Sequence, residues 1–217
     1  MKQTLENLTT KKYDDMTTNK AKWQMECIEK YRRENDYSML PIEFGNMEFD
    51  SRLYTAIEVL YWEYPNIPEH QKYQVVMDVF TNLKVAHHMP IKMILDMKKY
   101  RPDYILEPLK ELADPDGNIT IYHGTSVKEE KPHLSVSWTL NRERAEFYAR
   151  DYWLSRGRAM SESQVEFYYI YTGTININNV IYYTNRRQDF EIVQHGKVKN
   201  IIEEETKREK PVKSMWG

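Results

Sequence analysis

The chain has 217 residues, enough for one ordinary domain or two small ones with a buried core. Hydrophobic residues make up 41% and aromatic residues 13%, which excludes an intrinsically disordered chain. Acidic and basic residues nearly balance at a net charge of −2, so no bulk field draws the protein to nucleic acid or anionic lipid. A single cysteine, Cys27, allows no intrachain disulfide and favours a reducing compartment. The opening residues carry no apolar run behind Lys2, and no stretch approaches 18 apolar residues. A cytoplasmic protein with no signal peptide and no membrane partner is expected.

The first part of the chain reads as helical. The first 35 residues are polar but helix-compatible. Leu53, Ile57 and Leu60 share one face at helical spacing, as do Tyr73, Val76, Phe80 and Leu83. Pro90 to Lys98 and Asp103 to Leu112 read as two more helices, with Pro108 expected to kink or split the second. The Asp114-Pro115-Asp116-Gly117 turn then changes the pattern. Strand signals follow at Ile119–Tyr122, Leu134–Trp138, Val165–Tyr171, Val180–Tyr183 and Phe190–Val193. One helix interrupts them, from Arg142 to Leu154, with Asn141 as its N-cap and Ala145, Tyr148, Ala149 and Tyr152 on one face. The charged tail from Glu203 onward has no apolar pattern, and poor order is expected there. The fold class is therefore α+β. A helical region over 1–115 precedes a mixed, mainly antiparallel sheet domain over 116–203, with a charged tail over 204–217.

Three segments carry candidate chemistry. Tyr122-His123-Gly124 ends a strand, where glycine admits close approach to the backbone and an imidazole can bond a sugar hydroxyl. Ser135, Ser137 and Thr139 share one face of an extended segment, with Val136 and Trp138 on the other. Asp189 and Glu191 lie two apart, so extended backbone projects both carboxylates to one side. Taken singly, each segment reads as ordinary structure: a strand-end histidine, a solvated hydroxyl ladder, a pair of surface acids.

Together and in this order they resemble the ADP-ribosyltransferase family of toxins, phage enzymes and related transferases. Tyr122-His123-Gly124 resembles that family's first motif, Ser135 to Thr139 with the following helix its second, and Asp189-Phe190-Glu191 its third. The resemblance covers about residues 118–202. It departs from the usual pattern at Asp189, one methylene shorter than the family's glutamate. The resemblance implies cleavage of the nicotinamide–ribose bond of NAD⁺, which enters as substrate, and transfer of ADP-ribose to a macromolecular acceptor. A protein side chain is the expected acceptor rather than nucleic acid, and no metal is expected. It gives Glu191 the stabilisation of the ribosyl cation, Ser137 the orientation of Glu191, and Asp189 the positioning of the acceptor. It gives NAD⁺ binding to Tyr122, His123, Gly124, Ser135, Trp138 and Thr139, with Arg186 or Arg187 reaching the pyrophosphate.

Other candidates offer less. His87-His88 has no ligand spaced with it for a metal, and Cys27 reads as an inert thiol. The helical region is read as target recognition or support. Two rival readings stand beside the transferase: NAD⁺ hydrolysis with water as acceptor, and a non-enzymatic binding protein with a degenerate transferase-like domain.

Overall fold

A computed structural model describes residues 15–44, 55–82, 90–151, 166–185 and 188–207. The chain divides into two compact units, Met1–Tyr100 and Arg101–Gly217. The first holds helices α1 (Asp15–Glu34), α2 (Leu40–Glu43), α3 (Ala56–Glu63), α4 (Glu69–Asn82) and α5 (Ile91–Tyr100). Thr55 starts α3 with a reciprocal cap: its hydroxyl accepts from the Glu58 amide while the Glu58 carboxylate accepts from the Thr55 amide. Leu60, Tyr73, Val76 and Phe80 are buried as the helical spacing requires. Glu63 is only 2% exposed, yet it is paired with Arg32 at 2.5 Å and accepts from Tyr37 and Asn66 at 3.1 Å. A buried carboxylate so satisfied fixes these helices in one arrangement. Cys27 is buried in α1, and burial, reinforced by Glu43, pushes its thiol up to about 11, well away from nucleophilic use.

The second unit begins fifteen residues before the expected boundary at 115/116. The reason is packing. The segment expected as one helix is a 3₁₀ turn, Asp103–Ile105, followed by α6, Glu107–Lys110, and Leu106 and Leu109 are buried in the core of the sheet. The segment is split as expected, and Pro108 occupies the first turn of α6, where its missing N–H is not needed.

The sheet has six strands in the order β4-β5-β2-β1-β3-β6, and each described pairing is antiparallel. The strands are β1 (Asn118–Thr125), β2 (Ser137–Thr139), β3 (Phe167–Asn176), β4 (Tyr182–Thr184), β5 (Glu191–Val193) and β6 (Lys199–Lys207). Strand β6 contradicts the expectation of a poorly ordered tail from Glu203, and the tail drawn from 204 begins inside it. Its order comes from the β3 ladder, where Glu203, Glu204 and Glu205 face Tyr171, Ile170 and Tyr169. Two of its acids gain partners in Lys128 and Arg142. An edge strand of this kind needs no alternating apolar pattern, which is why the hydropathy missed it. Leu53, Leu83, His87, His88, Tyr152, Leu154, Val165 and the tail beyond Lys207 lie outside the described residues.

Helix α7 (Arg142–Arg150) follows β2, and Asn141 caps it by accepting from the amides of Glu143 and Arg144. The strand registers sort the side chains. Ile119, Ile121 and His123 share one face with Trp138, Tyr171 and Ile192. Tyr122 and Gly124 share the other with Ser137, Thr139 and Glu191. Leu106 and Leu109 join the first face, while Ala145 and Ala149 of α7 pack on the second beside Tyr122, Tyr168 and Ile170.

Gly124 is what lets α7 sit so close. A Cβ built there would stand 1.7 Å from the backbone oxygen of Ala145. Backbone cannot yield as a flexible side-chain tip can. Gly124→Ala is therefore expected to push α7 off β1 and destabilise the fold by at least about 1–3 kcal/mol. A thermal melt followed by circular dichroism checks this: an unchanged melting temperature would mean that α7 does not seat on Gly124.

Candidate active site

A cleft of about 350 Å³ opens among β1, β2, α7 and the segment before β5. Tyr122, His123, Gly124, Ser137, Thr139, Asp189 and Glu191 all line it, so the structure gathers all three sequence motifs at one place. Arg186 and Arg187 lie outside the described residues.

Its centre is a contact across β2 and β5. Thr139 pairs with Glu191 and Ser137 with Val193, so Ser137 and Glu191 are diagonal neighbours on one face. The longer glutamate spans that diagonal, and the Ser137 hydroxyl donates to Glu191 Oε1 at 2.6 Å. Burial pushes the Glu191 carboxyl above its ordinary range. The Ser137 bond opposes this, and the charge of Asp189 adds to it.

Asp189 reaches the cleft by a route different from the expected one. The backbone before β5 is not extended, since Gln188 and Phe190 both take left-handed conformations, with φ of 59° and 48°. Two L-residues in that region, one on each side of Asp189, store strain that the surroundings must hold. They do so from β2 and α7. The Thr139 hydroxyl donates to the Asp189 carbonyl at 2.6 Å, and the Leu140 amide donates to the Phe190 carbonyl at 3.1 Å. Arg144 donates to the Gln188 carbonyl at 3.2 Å and lies 3.5 Å from the Asp189 carboxylate.

Four expected ligand contacts have other work. Thr139 spends its hydroxyl on that loop and on the Asn141 amide. Trp138 is 2% exposed in the sheet core, with its indole N–H donating to the Ser135 carbonyl. Ser135 precedes β2 and donates to the Glu129 carboxylate. Gly124, expected to admit a ligand, instead admits α7, although its backbone still lines the cleft.

His123 lies on the opposite sheet face from the Ser137 and Glu191 side chains, between the rings of Trp138 and Tyr171. Its Nδ1 is 2.9 Å from the Ser137 carbonyl oxygen and its Nε2 is 3.0 Å from Glu129 Oε1. Glu129 was not singled out by the sequence, where it reads as one acid among surface charges. The residue lines the cleft, and the Tyr171 hydroxyl fixes its amide at 2.8 Å. Burial acts to raise the Glu129 carboxyl, but the bond and charge of His123 and the Ser135 hydroxyl outweigh it and hold it below the ordinary range.

Comparison with protein-family models, with curated sequences and with solved structures returned no match. Among the described residues, no helix is long and apolar enough to cross a membrane.

The raised carboxyl of Glu191 has a stability consequence. A native acid that holds its proton more tightly than the unfolded chain costs stability once pH rises above the unfolded value. Glu191→Gln removes that cost and keeps an acceptor for Ser137. At neutral pH the variant is expected to melt no lower than wild type, and any gain should vanish as pH falls toward the ordinary glutamate range. A large loss of melting temperature at pH 7 would show that the charge itself holds the fold.

Proposed function

We propose that the chain is an NAD-dependent mono-ADP-ribosyltransferase, which cleaves the nicotinamide–ribose bond and passes ADP-ribose to a macromolecular acceptor, a protein side chain foremost. The observation that carries this reading is the Ser137–Glu191 bond on the wall of the cleft, with Asp189 held beside it. Asp189 and Glu191 line the cleft with carboxylates that no histidine engages, and among the described lining residues there is no lysine or arginine. That lining suits the cationic pyridinium ring of NAD⁺. The motif resemblance supports the same assignment.

In this reading the C1′–N bond of the ribose breaks and its electron pair leaves with neutral nicotinamide, so the leaving group needs no acid. Positive charge develops on the ribose. Ionised Glu191 stabilises it through the 2′-hydroxyl, more in the transition state than in the ground state. Ser137 aims the carboxylate. A lone pair on the acceptor then forms the new bond to C1′, and the acceptor proton passes to Asp189 or to solvent. An aimed carboxylate held in place before the reaction costs no reorganisation when the charge appears.

Glu191→Gln should lower nicotinamide release by on the order of 10²-fold or more. Ser137→Ala should cost about tenfold to a hundredfold, the worth of one hydrogen bond to an ionised carboxylate. Because Glu191 must be ionised, wild-type rate should rise with pH through a midpoint above the ordinary glutamate value. Near-normal release by the Glu191→Gln protein would remove the central claim. Incubation with labelled NAD⁺ and cell lysate separates the outcomes: labelled macromolecule means transfer, release alone means hydrolysis, and no release means a binding protein.

A further inference from the structure

We propose that Glu129 is a positioning residue of this cleft: it locks His123 as a hydrogen-bond donor at both ring nitrogens, and His123 in turn ties β1 to the main chain of Ser137. Its bearing on turnover rests on the function proposed above; the lock itself does not.

Strands β1 and β2 share one pair, Tyr122 with Thr139, although β1 continues to Thr125 and β2 begins at Ser137. Beyond that pair the bridge is a side chain, His123 Nδ1 to the Ser137 carbonyl. A carbonyl only accepts, so Nδ1 must carry a proton. The second ring nitrogen faces a carboxylate oxygen, which also accepts when ionised. The Glu129 carboxylate is in turn engaged at its other oxygen by Ser135. Only a ring with both N–H groups satisfies both contacts at once, and a charge-assisted pair of this kind is stronger than a neutral bond. The titratable groups facing the ring are Glu129 from the segment after β1 and Tyr171 from β3; Asp189 and Glu191 line the same cleft, Glu191 from the opposite sheet face.

The result is a continuous chain from Ser135 through Glu129, His123 and Ser137 to Glu191. It replaces the role the sequence assigned to His123. A ring with both nitrogens bound to protein has no lone pair for a sugar hydroxyl, and what it supplies is the position of Ser137.

The test uses the full chain labelled with ¹⁵N-histidine. At pH 7 the wild-type His123 ring should report two protonated nitrogens. Glu129→Gln can donate an amide N–H to Nε2, so its ring should lose that proton and report one, on Nδ1. In nicotinamide release, Glu129→Gln should lower kcat by about tenfold to a hundredfold, as small misplacements of reacting groups do, with little change in KM. Glu129→Asp keeps the charge, so it should keep the two-proton ring and recover most of the rate. A wild-type ring with one bare nitrogen overturns the lock, whether or not a variant folds. A Glu129→Gln ring that changes as expected with kcat untouched overturns the positioning role. If wild type releases no nicotinamide, the proposed function falls while the ring spectrum still decides the lock.

Discussion

The cleft depends on the shortness of β2. This strand has three residues, all paired with β5 and only one paired with β1. A full-length β2 would have closed the sheet with backbone bonds and left no opening. A missing one would have left Ser137 without a register. The three-residue ladder to β5 puts Ser137 and Glu191 on a diagonal of one face, and the single pair with β1 leaves the space beside them.

Keeping that opening stable takes compensation on both sides. On one side α7 is drawn close to β1 because Gly124 has no side chain to oppose the Ala145 backbone. From that seat α7 delivers Arg144 to the loop before β5. On the other side the loop carries two left-handed residues, and Thr139, Leu140 and Arg144 hold its carbonyls in place. The strained backbone is thus set where the strand carrying Glu191 begins, as strained residues at working sites commonly are.

The two glutamates of the cleft illustrate how surroundings divide the work of identical side chains. Glu191 has one hydroxyl donor and an acidic neighbour, so burial dominates and raises it. Glu129 is buried as well, but an imidazole and a hydroxyl engage its oxygens and lower it. Environments that push two carboxyls apart assign them different roles. Here one suits a fixed structural charge and the other a group that responds to charge developing on a ligand.

The sequence by itself determined the α+β class, the helix cap at Asn141 and the strands at the first and third motifs, because these follow from periodicity and short-range backbone preferences. The strand expected over Leu134–Trp138 is instead a 3₁₀ turn at Pro132–Leu134 followed by Ser137–Thr139, and the convergence of the motifs was expected from their resemblance alone. The pairing of Ser137 with Glu191 was expected only through the motif resemblance, since alternation within a strand says nothing of a partner on another strand. What only the tertiary structure decided depends on register and on partners far apart in the chain. Alternation within β1 fixed His123 opposite to Gly124, but only the β3 ladder revealed which face met Trp138 and Tyr171. Glu129 became visible only when folding brought His123 and Ser135 to its two oxygens. The order of β6 came from β3 rather than from its own residues, and the unit boundary at Tyr100 from Leu106 and Leu109 finding the sheet core. A hydropathy pattern records what a segment prefers on its own, whereas these features are set by the neighbour it finally meets.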